Sequence, residues 1–210
     1  MKYFFLGVIV PFSILLPIFF AFFNYKKLDK SAAIILYYLL LSAVISVLAE
    51  IAQKKFRTNL PLLHFYTLAE LVVLVQFYKK LTIVKSNTVF LSAIQLFFIA
   101  FCVTNVFLWQ SIKTYPSYTL SLGALILMLL AASYYAKILF VTLEVKTTAL
   151  PSFWFNSGIF LYFSGAFFLF IFSNFVRKSI IDFDIVWNLH AAFVLIMYIL
   201  FTIGFIKCKK

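Results

Sequence analysis

Residues 62–78 read LLHFYTLAELVVLVQFY, an apolar run that carries a carboxylate, Glu70, near its middle and a histidine, His64, near its start. With Leu60 and Pro61 it covers nearly the ~30 Å of a bilayer's hydrocarbon core at about 1.5 Å per helical residue. The rest of the chain repeats this length of apolar run. Over its 210 residues, 65% are hydrophobic, 21% aromatic and only 11% charged, with a mean hydropathy of +1.09. Soluble domains carry about a quarter charged residues, so the composition is that of an integral membrane protein.

Seven spans are expected, at 4–23, 31–49, 60–78, 87–109, 118–142, 151–173 and 185–206. They predict an all-α, polytopic transmembrane seven-helix bundle that forms a single domain over 1–210. The first run has no small-residue cleavage pattern and its basic flank follows it, so it reads as a retained helix, bent by Pro11 and Pro17. The connections between spans are too short to hold a folded soluble domain.

Lysine and arginine set the orientation. Lys2, Lys54, Lys55, Arg57, Lys113, Arg177 and Lys178 fall on one side, seven in all. Eleven fall on the other: Lys26, Lys27, Lys30, Lys79, Lys80, Lys85, Lys137, Lys146, Lys207, Lys209 and Lys210. The excess places the N-terminus outside and the C-terminus inside. The formal net charge of +12 comes from these membrane-flanking clusters, which form no basic face for nucleic acid.

Polar residues within spans usually turn away from lipid. Glu50, His64, Asn105, Asn174, Asn188 and His190 share the outer level, beside the interfacial aromatics Trp109, Tyr115 and Trp187. Their common depth predicts an outward-facing polar pocket for a small molecule or a lipid, with Glu50, His64, Asn105, Asn188 and His190 as ligand-binding candidates.

Glu70 lies deeper, about 12 Å from Tyr78 at the inner end of its span. An ionised acid there costs about 3 kcal/mol on insertion scales, and protonating a free glutamate at pH 7 costs about 3.7 kcal/mol. Neighbours therefore decide its charge. Tyr66 at i−4 and Thr67 at i−3 share its helix face, and Lys137, read as five residues inside the fifth span, is the one comparable intramembrane cation. These four form a coupling group that links pocket occupancy to helix packing.

No reaction is written in the motifs. The two histidines and Glu50 lack metal-ligand spacing, Ser157 and Ser164 lack a nucleophile elbow, and the seventh span has no lysine before Lys207 for a retinal link. No cofactor is expected. Ser157, Gly158, Ser164 and Gly165 recur at seven-residue spacing and read as a packing stripe. Cys102 reads as a buried apolar residue, and Cys208, among the terminal lysines, as a possible acylation point. The second and third spans repeat the polar order of the sixth and seventh, as two three-helix halves joined by a fourth helix would, although the Pro-Gln dipeptide of sugar-carrier families is absent.

The segments PSFWFNSGIFLYFSGAFFLFIFSN (151–174) and IVWNLHAAFVLIMYILFTIGF (185–205) resemble a group of small, uncharacterised multi-helix membrane proteins common in Bacteroidota. Some of that group accompany sensor histidine kinases, so the resemblance implies a sensory or accessory role in a bacterial inner membrane, with a membrane kinase or another membrane protein as partner. Two alternatives stand beside it: a small-solute transporter with a 3+1+3 helix arrangement, and a lipid-modifying enzyme.

Overall fold

The computed structural model describes residues 9–81, 87–140, 146–172 and 183–208, the side chains of 183–186 excepted. Asn174 and the start of the first span lie outside them. Among the described residues the chain is helical and without strands. Helix α1 is Val10–Phe23, α2 Lys30–Phe56, α3 Leu60–Lys80, α4 Thr88–Leu108, α5 Ser117–Ile138, α6 Pro151–Ile171 and α7 Phe183–Lys207. Helices α2 to α7 are long and apolar enough to cross a membrane, as those of a multi-pass membrane protein are; α1 is a shorter apolar helix.

Local chemistry sets the helix ends. Helix α1 is interrupted at Ile14. Pro17 has no N–H to give the carbonyl of Ser13, one turn back, so the ladder opens there. Asp29 caps α2 through Oδ1, which accepts from the Ala32 N–H at 2.8 Å, and Asn87 caps α4 by accepting from Val89 and Phe90. Asn24, just past α1, donates from Nδ2 to the Phe205 carbonyl at 3.3 Å, tying the end of α1 to the end of α7.

Helix α2 runs two turns beyond the expected end at 49, to Phe56, and stops where Arg57 takes the left-handed conformation at φ 56°. The residues of EIAQKK are good helix formers, and Lys54 pairs with Glu50 one turn away at 2.9 Å. Polarity ends an apolar stretch; it does not end a helix. Helix α5, by contrast, stops at Ile138, four residues before the expected 142.

The packing order is a ring. Helix α1 packs on α7, α7 on α6, α6 on α5, α5 on α3, α3 on α2 and α2 on α1, with α2 also touching α6 across the middle. Helix α4 stands outside, against α3 and α5. Exchanging α1–α3 with α5–α7 reproduces every one of these ring contacts, the order that two three-helix halves about a two-fold axis would give.

Between the halves the core is aromatic. Phe155 of α6 meets Phe77 of α3 edge-on at 6.3 Å and Phe201 and Phe205 of α7 at 5.9 and 4.9 Å. The small-residue stripe packs as expected: a Cβ built on Gly158 would lie 2.7 Å from the Phe201 ring, and one on Gly165 would run into the Phe193 ring. Ser157 instead turns toward α5, its Oγ 2.6 Å from the Tyr135 hydroxyl. Large side chains such as Phe19, Leu96, Phe97 and Phe107 remain exposed around the outside, where lipid, unlike water, exacts no cost.

Candidate intramembrane site

Glu70 is buried, at 6% exposure, ten residues or about 15 Å from the Lys80 end of α3. Its Oε1 accepts two hydrogen bonds, from the hydroxyls of Tyr38 on α2 and Tyr66 on its own helix, each at 2.9 Å. The Tyr66 oxygen also lies 3.0 Å from Ser42 Oγ, whose proton goes to the Tyr38 carbonyl at 2.9 Å. The i−4 spacing that made Tyr66 a candidate thus brings it to the carboxylate. Thr67 is buried as well, but its hydroxyl donates to the Leu63 carbonyl at 2.8 Å.

The opposite half of the bundle faces this carboxylate with two more phenols. Tyr162 on α6 and Tyr198 on α7 both lie within electrostatic reach of Glu70. Counted from the Lys30, Pro151 and Lys207 ends of their helices, Tyr38 is eight residues along, Tyr162 eleven and Tyr198 nine, so all sit near the level of Glu70. Oε2 of Glu70 and the Tyr198 hydroxyl have no hydrogen-bond partner among the described residues. Tyr162 is tied outward, its oxygen 3.1 Å from Nε2 of His190. The His190 ring is held edge-on by Trp187 and Tyr162, each at 5.6 Å, and lies 5.7 Å from Phe170.

Lys137 is not a partner of Glu70. Because α5 ends at Ile138, this lysine occupies the last turn, exposed, and borders a cleft with Tyr78, Asn87, Phe90 and Ser133. At a helix terminus its ammonium reaches the surface directly and complements the C-terminal end of the helix dipole.

The outer-level residues do not assemble into one pocket. His64 is 3.0 Å, through Nε2, from the carbonyl of Thr114 in the α4–α5 connection, and its other side borders an apolar groove with Phe65, Cys102 and Phe107. Asn105, fully buried, donates to Gln110 Oε1 at 3.3 Å. Gln110 then donates to Ser117 Oγ at 2.8 Å and accepts from the Tyr118 N–H at 3.1 Å. His64 and Asn105 therefore fasten the α4–α5 turn. His190 belongs to the α6–α7 pair, with Asn188 half-buried two residues earlier, and Glu50 is spent on its exposed ion pair with Lys54. Equal depth placed these groups on one level but on different sides of the bundle.

Sequence reasoning passed over Tyr38, Tyr162, Tyr198 and Gln110. A hydroxyl in mid-span was the available signal, since a phenol at that depth needs a polar partner. Cys208 is buried, its thiol directed at the Gly204 carbonyl, and burial, with Asp29 nearby, pushes it up to about 12. That holds it as the unreactive thiol and argues against acylation. No family model, curated protein or solved structure matches this chain.

Proposed function

We propose that the protein crosses the membrane seven times with its N-terminus outside, and binds a small polar solute at Glu70, in mid-bilayer, between its two three-helix halves. The function this favours is that of a small-solute carrier. The observation that supports it is the pairing of Glu70 with Tyr38 and Tyr66 from one half, through one carboxylate oxygen, while the other oxygen has no hydrogen-bond partner among the described residues and Tyr162 and Tyr198 of the other half lie within electrostatic reach. Carriers built from paired repeats hold substrate near the midplane at the repeat interface, and rocking of one half against the other then exposes the site to each side in turn.

The test uses a variant without native cysteines that carries Tyr198→Cys. In oriented vesicles, the carrier reading expects labelling of Cys at 198 by membrane-impermeant thiol reagents from both sides. Labelling from one side alone would leave a receptor, and none would remove the site. Reporter fusions at the two termini check the orientation, and an inside N-terminus would reverse it.

A sensory or accessory role is the second reading. It is favoured by the length of α2, whose end at Phe56 extends beyond its apolar stretch and offers a partner protein a helix surface continuous with the one that bears Tyr38. That reading expects one-sided access to position 198 and a membrane partner, a kinase among the candidates, recovered with the intact protein.

A further inference from the structure

The hydrogen-bond inventory around Glu70 is one-sided. Tyr38 and Tyr66 each have one proton, and each gives it to Oε1. In the tautomer in which Nε2 of His190 accepts, Tyr162 spends its proton there. With Glu70 ionised, the open groups that remain are acceptors: Oε2 of Glu70 and the lone pairs of the phenol oxygens, with the Tyr198 hydroxyl able to turn either way. The two phenol hydrogen bonds offset much of the cost of an ionised Glu70 but bring it no opposite charge, which only a cation supplies. Lys137 does not supply it, and among the described residues Lys54–Glu50 is the one ion pair.

Different ligand classes fare differently here. An anion meets the Glu70 charge head-on, and a neutral solute that only accepts hydrogen bonds finds Tyr198 as its single donor. A divalent cation requires six or more oxygens, most of them strong ligands, and one carboxylate with phenols falls short. An ammonium group with several N–H donors meets both requirements at once, since it neutralises one carboxylate and donates to acceptors spread around it.

We infer that the solute bound at Glu70 is a protonated primary amine, its ammonium held by Oε2 of Glu70 and the Tyr198 oxygen, with the tyrosine rings around its carbon body. This rests on the reading of the Glu70 cluster as the solute site. Balancing of the Glu70 charge by a positively charged N–H donor distinguishes it from a site that would hold any cation.

The experiment measures thermal unfolding of the full chain in nanodiscs with n-butylammonium, tetramethylammonium or sodium chloride at constant ionic strength. A saturable rise in Tm with n-butylammonium alone is expected. It should vanish in Glu70→Gln, and Tyr198→Phe should need about tenfold more amine, the loss of one hydrogen bond to a charged group. An equal rise with tetramethylammonium or sodium, a rise that survives Glu70→Gln, or no rise at all overturns the amine. If Glu70→Gln does not fold, an unchanged amine dependence in Tyr198→Phe is itself decisive against it. Thiol labelling at position 198 separates the two levels: labelling without amine binding removes the amine and keeps the site, whereas the absence of labelling removes both.

Discussion

Replacing Tyr38 by Phe removes one of the two hydroxyls on Oε1 of Glu70, and with it a long 3.4 Å contact from the Tyr66 hydroxyl, while the buried ring keeps its edge contact with Phe201 at 6.3 Å. The size of the loss reports the charge on the acid. A hydrogen bond to an ionised group contributes about 1.5–3 kcal/mol, whereas interhelical bonds between neutral side chains in membrane proteins average about 0.6 kcal/mol. Two charge-assisted bonds of that strength match the ~3 kcal/mol that an ionised acid costs at this depth. The structure therefore fits an ionised Glu70 held by Tyr38 and Tyr66. In a double-mutant cycle of Tyr38→Phe with Glu70→Met, which removes the acceptor, read by reversible unfolding in mixed micelles, we expect a coupling of about 1.5 kcal/mol or more. The same cycle with Tyr66→Phe should give a similar value, since both bonds are 2.9 Å. Couplings near 0.6 kcal/mol in both cycles would refute the ionised carboxylate and, with it, the charge that a bound ammonium would meet.

Three further outcomes are expected. Gln110→Ala should destabilise by about 1–3 kcal/mol, because it strips partners from buried Asn105 and Ser117, while His64→Ala, with one bond at the exposed rim, should cost under ~1 kcal/mol in the same unfolding assay. Gly158→Ala should cost about 1–3 kcal/mol by overpacking against fully buried Phe201, and more than Gly165→Ala, whose neighbour Phe193 is only half-buried and has room to turn. Cys208 should resist maleimide at neutral pH in folded protein and react once the chain is unfolded. With its thiol raised from 9 to about 12, the thiolate fraction drops about a thousandfold, and the stability gained by burying the neutral thiol persists below pH 9 and fades as pH climbs toward 12.

The spans were legible because lipid and core both demand apolar residues, which makes membrane helices conspicuous in composition. The same demand hid the rest. A helix that is apolar all round carries no pattern to say which side faces inward, so depth was readable for His64 and His190 and rotation was not. Glu70 with Tyr66 was readable, because i−4 neighbours on one helix share a face whatever lies around them. Tyr38 comes from another helix, and Tyr162 and Tyr198 from the other half of the chain. Lys137 was misplaced because hydropathy continued past the point where α5 stops, and the end of α2 because hydropathy faded before the helix did.

The uninterrupted run of α2 from Tyr38 to Phe56 also has a mechanical meaning. Eighteen residues make a stiff rod about 27 Å long, fixed near its foot by the Tyr38–Glu70 bond. Tilting that rod by about 5° at the foot swings the Lys54–Arg57 turn by about 2.4 Å, near half the pitch of a helix. Gain or loss of one hydrogen bond at Glu70 would thereby be enlarged into a displacement of basic side chains at the far end of α2.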